Sequence, residues 1–201
     1  MIAPGPRLEF WYDFASTYSY LSAMRIEEMA RAANVSIAWK PFLLGPIFQA
    51  QGWTTSPFNL YPAKGRNMVR DIGRLAAARG LAFALPKIFP QNSLAAARLA
   101  IVGGDEGWIA PFTRAVYAAE FAEGIDIGDR QALGALLHGL GLDSGRILSA
   151  IEQSACKERL KAQTQEAQAR GIYGAPSFLV GDELFWGDDR LEQALAWANR
   201  T

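Results

Sequence analysis

The chain begins with an almost continuous apolar run and then changes to helical spacing. Residues 8–14, L-E-F-W-Y-D-F, are apolar except for two acidic positions, which is typical of a strand buried on both faces of a mainly parallel sheet. Over residues 18–33, apolar positions recur every three or four residues with charged residues opposite, which predicts one helix. Residues 35–42, V-S-I-A-W-K-P-F, return to strand-like composition, and handedness rules predict parallel pairing with the first strand.

The middle of the chain shows helical periodicity and no persuasive strand. The pattern predicts helices near 63–79, 93–103, 108–123, 129–139 and 144–169. Glycines are placed where a left-handed cap is expected, at Gly80, Gly103, Gly124 and Gly171, and the candidate N-caps are Ser93, Asp129 and Asp143. This central block therefore predicts an all-helical insertion.

The C-terminal part returns to strands. Residues 177–186, S-F-L-V-G-D-E-L-F-W, are two short apolar runs joined by Gly181-Asp182, which predicts a hairpin with a type II′ turn. An amphipathic helix is predicted over residues 188–198. The order β-α-β, helical block, β-β-α is that of an α/β thioredoxin-like fold with a large all-helical insertion domain. We expect residues 1–44 and 172–201 to form the thioredoxin-like domain and residues 45–171 the insertion domain.

Composition narrows the possible partners and compartments. The 20 basic and 20 acidic residues leave no net charge, which argues against nucleic acid or an anionic membrane as partner. The N-terminal M-I-A-P-G-P-R lacks a basic and apolar leader, and no apolar run is long enough to span a bilayer, so we expect a soluble, cytoplasmic protein. Because Cys156 and His138 are the only residues of their types, we expect neither a C-x-x-C redox couple nor a zinc site built on the usual Cys and His sets.

The stretch F-A-S-T-Y-S-Y-L-S, residues 14–22, places Ser16 and Ser19 where thiol oxidoreductases of similar layout carry two cysteines. A helix N-terminus favours an anion, but a serine hydroxyl does not ionise at neutral pH. Ser16 can instead donate a hydrogen bond to a thiolate brought by a ligand, which would lower the pKa of that thiol. The alternative is that Ser16 only caps the helix, where its removal costs about 1 kcal/mol of stability. The spacing leaves both interpretations open.

Three segments in order carry a family resemblance: F-W-Y-D-F-A-S-T-Y-S-Y-L, N-L-Y-P-A-K-G-R-N-M-V-R-D and G-I-Y-G-A-P-S-F-L-V-G-D-E-L-F-W-G-D-D-R-L. Together they resemble the 2-hydroxychromene-2-carboxylate isomerases, glutathione-dependent, DsbA-like relatives of kappa-class glutathione transferases. The resemblance runs over nearly the whole chain. The family often has Ser-Pro-Tyr-Ser where this chain has Ser16-Thr17-Tyr18-Ser19, and that proline would preset the first helical turn.

The resemblance implies a glutathione site. It makes Ser16 the catalytic residue in contact with the glutathione sulfur, and it makes Pro176 a cis proline that exposes the backbone of Ala175 for pairing with the tripeptide. The other cofactor-binding residues that it implies are Thr17, Tyr18, Asn59, Lys64, Asp188 and Asp189, the aspartates holding the γ-glutamyl ammonium. Read without the family, Asn59 is a turn cap, Lys64 a solvated lysine, and the two aspartates are helix caps.

The reaction that the resemblance implies is the interconversion of 2-hydroxychromene-2-carboxylate and trans-o-hydroxybenzylidenepyruvate, a step in the breakdown of naphthalene-like aromatics. Glutathione would be a regenerated cofactor, the substrate a small aromatic oxo-acid, and the protein a homodimer. One alternative is a kappa-like transferase that conjugates glutathione to electrophiles. A second is a catalytically silent thioredoxin-like binding module, which the missing cysteine pair permits.

Overall fold

A four-stranded mixed sheet forms the centre of the protein, which is described by a computed structural model over residues 5–200; positions 1–4 of the N-terminal segment and position 201 lie outside the described residues. The strands are β1 (Arg7–Tyr12), β2 (Ser36–Pro41), β3 (Ser177–Val180) and β4 (Glu183–Trp186), in the order β2-β1-β3-β4. β1 and β2 are parallel, and β3 is antiparallel to both of its neighbours. The predicted parallel pair and the C-terminal hairpin are confirmed.

Helices connect and cover these strands. The chain contains α1 (Thr17–Ala23), α2 (Ile26–Ala32), α3 (Leu44–Ala50), α4 (Pro57–Leu60), α5 (Pro62–Ala78), α6 (Leu94–Glu106), α7 (Ile109–Phe121), α8 (Arg130–Gly139), α9 (Ser144–Ala150), α10 (Ser154–Ala169) and α11 (Leu191–Ala198), with a 3₁₀ turn at Asp188–Arg190. All helices from α3 to α10 lie between β2 and β3 in the chain, which places the helical block where the sequence predicts it. Within residues 5–200, no helix is both long and apolar enough to cross a membrane.

The single helix predicted over residues 18–33 is wrong, because the chain breaks into α1 and α2 at Met24 and Arg25. Arg25 leaves helical geometry with φ −127° and ψ −17°. Its guanidinium donates to the carbonyl of Asp188 at 2.7 Å and also pairs with the carboxylate of Glu192. The break therefore coincides with contacts to residues far away in sequence, which the local pattern cannot predict. The predicted helix over 144–169 is also wrong as a single helix, since the chain forms α9 and α10 there.

Helices α3 and α4 were not predicted, since Gly45-Pro46 and Ser56-Pro57 are typical of loops. Proline is tolerated in the first turn of a helix, where its missing N–H has no helical partner. Ser56 also caps α4, because its Oγ accepts a hydrogen bond from the N–H of Phe58 at 3.3 Å. These breaker residues mark helix starts in this chain.

Most of the predicted caps are confirmed, with two exceptions. Gly103 lies inside α6, and the left-handed cap is Gly107 with φ +81°. A Cβ at Gly103 would lie 2.6 Å from the ring of Trp108, so this glycine permits close packing instead of ending the helix. Ser93 precedes α6 without a side-chain cap bond. At the hairpin, Gly181 has φ +59° while Asp182 does not have a positive φ, as expected for a type II′ turn.

Strand β1 is buried on both faces of the sheet, as predicted. Leu8, Phe10 and Tyr12 of β1 point into the main core, which the helices of the insertion share. Trp11 belongs to a second, smaller cluster on the opposite face. The members of that cluster are Trp11, Phe42, Ile47, Ala167, Ile172 and Leu179. Packing on both faces fixes the end of β1, which is where the candidate site begins.

Candidate active site

Ser16 occupies the N-cap of α1 and links that helix to the loop before β3. Its backbone is extended, with φ −99° and ψ 113°, and its Oγ accepts a hydrogen bond from the N–H of Ser19 at 3.2 Å. The same hydroxyl donates to the carbonyl of Ala175 at 3.0 Å. The capping interpretation of Ser16 is confirmed. The activation of a bound thiol by this hydroxyl stays a prediction.

Asp13 holds the turn between β1 and Ser16. Its buried carboxylate accepts hydrogen bonds from the N–H of Ala15 at 3.0 Å and from the N–H of Leu44 at 2.7 Å. Its carbonyl accepts from the N–H of Ser16 at 2.9 Å. Burial raises the pKa of Asp13, and these backbone donors together with the Ser93 hydroxyl oppose that rise. The sequence analysis did not select Asp13, although an acidic residue at the end of a buried apolar run was the available signal.

A cavity of about 1690 Å³ opens beside the tip of α1. Its walls come from residues 15–18, from parts of the segment 43–58, from one side of α5, from residues 89–94 and from the loops on either side of the hairpin. Thr17 and Tyr18 follow Ser16 along one wall, and their contact with a cofactor stays a prediction. The cavity is large enough for a tripeptide and a second small molecule together, since pockets for single ligands commonly measure about 300–1,000 Å³.

Of the two residues expected from the N-L-Y-P-A-K segment, Lys64 lines the cavity and Asn59 does not. Lys64 is exposed, and its Nζ lies 4.8 Å from the ring centroid of Tyr61. Asn59 is exposed on α4, where its Nδ2 donates to Oγ1 of Thr55 at 3.1 Å. That bond joins two side chains and satisfies no backbone group, and the N-cap of α4 is Ser56. A contact between Asn59 and a ligand stays a prediction.

Tyr18 ties α1 to α5 across the cavity wall. Its hydroxyl donates to Oδ2 of Asp71 at 2.9 Å. Oδ1 of Asp71 accepts from Arg74 at 3.1 Å, an ion pair three residues apart on α5. Burial and the hydrogen bond to Asp71 raise the pKa of Tyr18, so the phenol is protonated at neutral pH.

The Ala175–Pro176 peptide bond is cis, as the family resemblance implies. Both residues line the cavity. The carbonyl of Pro176 accepts from the N–H of Gly187 at 3.0 Å, which joins this loop to the end of β4. The edge of the cavity next to Ser16 is therefore polypeptide backbone.

Asp188 is 3% exposed and fully occupied by protein partners. Its carboxylate accepts from Ser22 Oγ at 2.8 Å, from Arg79 at 2.6 Å and from Arg25 at 3.3 Å. Arg79 lies at the C-terminal end of α5, and it also lines the cavity. Buried charges are found paired in this way because an isolated charge in the interior is costly. Sequence reasoning missed Arg79, since nothing local marks a partner so far along the chain.

Asp189 differs from its neighbour because its side chain is 75% exposed, and it forms an ion pair with Arg190 at 3.4 Å. Neither aspartate caps the 3₁₀ turn with its side chain. The capping interpretation is therefore wrong for both residues. Of the two carboxylates, that of Asp189 is the one open to a ligand.

The lone cysteine and histidine lie outside the cavity lining. Cys156 is buried on α10, where its Sγ donates to the carbonyl of Arg98 at 3.6 Å, and burial raises the pKa of its thiol. His138 is exposed in the last turn of α8. Within residues 5–200, no group of three or more His, Cys, Asp or Glu side chains is placed to hold a metal ion.

The chain is similar to known proteins over nearly its whole length. The sequence model of the family described as DSBA-like thioredoxin domain matches residues 7–196. A Sphingobium xenophagum protein named 2-hydroxychromene-2-carboxylate isomerase is 31% identical over 92% of this chain and 94% of its own length. A Caenorhabditis elegans protein named glutathione S-transferase kappa 2 is 25% identical over 92% of this chain and 88% of its own. A solved structure of a 2-hydroxychromene-2-carboxylate isomerase has a TM-score of 0.85 and 28% identity, over 96% of this chain and 95% of that one. The predicted fold class and the family resemblance are confirmed.

Proposed function

The chain belongs to the DSBA-like thioredoxin family, and from that premise we propose that it is an isomerase that uses glutathione as a regenerated cofactor. The observation that carries the proposal is Ser16, a hydroxyl at the tip of α1 where the family's dithiol enzymes need a cysteine. It faces a large cavity, and the chain has no second cysteine for a redox couple. The named relative at 31% identity supports 2-hydroxychromene-2-carboxylate and trans-o-hydroxybenzylidenepyruvate as the two partners of the reaction.

The geometry around Ala175 supports a tripeptide thiol as the cofactor. Ser16 donates its hydroxyl proton to the carbonyl of Ala175. In our proposal, a main-chain N–H of glutathione pairs with that carbonyl and displaces the serine. The Ser16 hydroxyl is then free to donate to the glutathione sulfur. Asp189 holds the γ-glutamyl ammonium, since the carboxylate of Asp188 is already occupied.

Isomerisation requires rotation about the carbon–carbon double bond that is conjugated to the ketone. That bond must therefore become a single bond for a short time. The thiolate sulfur donates an electron pair to the conjugated carbon and forms a C–S bond, while the π electrons move onto the ketone oxygen to give an enolate. After rotation, the enolate pair returns, the C–S bond breaks, and glutathione leaves unchanged. In the direction of the chromene, the phenol oxygen then adds to the ketone carbon and its proton passes to the ketone oxygen, which closes the ring. The ammonium of Lys64 is the residue that we assign to the enolate oxygen, because it lines the cavity and carries the required positive charge.

Replacement of Ser16 tests this proposal. We expect Ser16→Ala to raise the thiol pKa of bound glutathione, measured from the ultraviolet absorbance of the thiolate. Each unit by which this pKa rises above the assay pH lowers the thiolate fraction about tenfold. Turnover of trans-o-hydroxybenzylidenepyruvate should fall with the thiolate fraction. Ser19→Ala is the matched control, since Ser19 lies in the same helical turn and does not line the cavity. Full activity of dialysed protein without glutathione would falsify the proposal.

The kappa-class relative favours a second candidate, a transferase that releases a glutathione conjugate. The two activities are separated by following glutathione during turnover. Constant total glutathione supports isomerisation, whereas loss of one glutathione per product supports transfer. Ligand binding with no rate of either kind would support the silent binding module. A cytoplasmic location and a homodimer stay predictions.

A further inference from the structure

Two large aromatic side chains line the cavity while remaining half exposed. Tyr173 is 46% exposed and Trp186 is 50% exposed. Their ring centroids are 5.0 Å apart and their planes are inclined by 60°. Burial of such rings is favourable, so an exposed pair in contact at the wall of a cavity indicates a binding surface. We call Tyr173 and Trp186 the aromatic pair.

The aromatic pair lies next to the contact made by Ser16. A Cβ added to Gly174 would lie 2.3 Å from Nε1 of Trp186, so the indole rests directly against the backbone of Gly174. The following residue is Ala175, whose carbonyl accepts the hydroxyl of Ser16. Consecutive Cα atoms are about 3.8 Å apart. The indole is therefore one residue away from the position where the proposed sulfur is held.

The indole also offers a free hydrogen-bond donor. The buried Trp11 and Trp108 donate their Nε1–H groups to Glu9 and Glu106, each at 2.9 Å. Within residues 5–200, Nε1 of Trp186 donates no hydrogen bond. A flat molecule that carries oxygen atoms can use both the ring face and this N–H.

We propose that the aromatic pair binds the aryl ring of the oxo-acid substrate and that Trp186 is a specificity-determining residue. This inference rests on the proposed function. The competing wall contains Phe48 and Trp53, whose ring centroids are 5.5 Å apart. Phe48 and Trp53 are half-buried, whereas the indole of Trp186 rests against Gly174, the residue before Ala175. A substrate that reacts with the glutathione sulfur has to lie beside that sulfur. The aromatic pair is favoured because it lies next to the proposed position of the sulfur.

Kinetics of matched variants test the assignment. We expect Trp186→Ala to raise the KM for trans-o-hydroxybenzylidenepyruvate about three- to tenfold, the range given by loss of one aromatic contact. The Kd of glutathione, measured by calorimetry, should change less than about twofold. Trp186→Phe keeps a ring and should have a smaller effect. Trp197→Phe is the control, since Trp197 is also partly exposed but does not line the cavity.

Gly174→Ala provides a second route to the same result. Gly174 does not have a positive φ, so alanine fits its backbone and the main conflict is with the indole. Displacement of the indole should reproduce the KM increase of Trp186→Ala while Trp186 itself is unchanged. If Trp53→Ala raises this KM and Trp186→Ala does not, the proposal is wrong. If Trp186→Ala weakens glutathione and leaves the KM unchanged, the aromatic pair serves the cofactor and the proposal is also wrong.

A binding measurement separates this proposal from the proposed function. The probe is trans-2-hydroxycinnamate, a stable aryl acid with a conjugated side chain, and the readout is quenching of tryptophan fluorescence. Quenching that is lost in Trp186→Phe and kept in Trp197→Phe supports the aromatic pair even if the protein shows no glutathione-dependent turnover. Equal quenching in both variants overturns the assignment whether or not the protein is an isomerase.

Discussion

Glu120 gives a prediction about stability that follows directly from its surroundings. It lies on α7 with 0% exposure, and neither carboxyl oxygen has a hydrogen-bond partner within residues 5–200. Burial raises its pKa to about 9, and the nearby carboxylates of Asp13 and Asp126 act in the same direction. Glu120 is therefore protonated at neutral pH in the folded protein.

The sign of the pH dependence follows from proton binding. The ordinary pKa of a glutamate is 4.5, which we take for the unfolded chain, and the folded value is about 9. Between these two values the folded protein binds one proton more at Glu120 than the unfolded chain does. The stabilising contribution is complete below pH 4.5 and is lost as pH rises through the folded pKa. The slope is at most about 1.4 kcal/mol per pH unit, so the whole window is worth roughly 6 kcal/mol as an upper limit.

Glu120→Gln removes this titration and keeps the shape of the side chain. We measure the free energy of unfolding of both proteins by urea denaturation between pH 5 and 9. We expect the value for Glu120→Gln minus the value for the wild type to increase as pH rises. Glu123→Gln is the matched control, because Glu123 is exposed just beyond the end of the same helix and should follow the wild-type curve. If the curves of Glu120→Gln and wild type stay parallel over this range, the carboxyl is not held neutral and the reasoning is refuted.

Two further perturbations test the packing described above. Asp188→Asn leaves two guanidinium groups without their carboxylate, and we expect a loss of about 3 kcal/mol in the free energy of unfolding from urea denaturation; an unchanged midpoint would contradict this. Gly103→Ala places a methyl group 2.6 Å from the ring of Trp108 and should cost about 1–3 kcal/mol, seen as a lower Tm. Its control is Gly73→Ala in α5, where an added Cβ has no atom of residues 5–200 within 4 Å apart from the local helix backbone and its chain neighbours. This change should stabilise the protein by about 0.5–1 kcal/mol; a lower Tm there would contradict the packing argument.

The parts of the fold that the sequence predicted are those determined by local pattern. The apolar run of β1 and the Gly181-Asp182 turn each depend on residues close together in the chain, and both are confirmed. The break at Arg25 could not be predicted, because it accompanies a bond to Asp188, which is far away in sequence. The start of α3 was missed for a different reason, since Gly45-Pro46 is as compatible with a loop as with a first helical turn.

The candidate site divides in the same way. Ser16 was visible because a cap at a strand-to-helix junction is a local signal, and the cap bond is present. The different environments of Asp188 and Asp189 were not visible, since adjacent acidic residues look alike until their partners are known. Only the tertiary structure brings Arg79 to the first aspartate and leaves the second exposed. The aromatic pair was missed because the sequence does not show whether a tryptophan is exposed or buried.

The bonds that join helix α5 to the thioredoxin-like part include that of Tyr18 to Asp71 near its middle and that of Arg79 to Asp188 at its end. A protein engineer who wishes to graft this helical block onto another scaffold must transfer both pairs. A recipient that lacks the tyrosine and the buried aspartate would receive the helices without their alignment. The helical block and the thioredoxin-like part therefore depend on each other for their alignment. Substitutions in the cavity walls are a safer way to change substrate preference than exchange of the whole helical block.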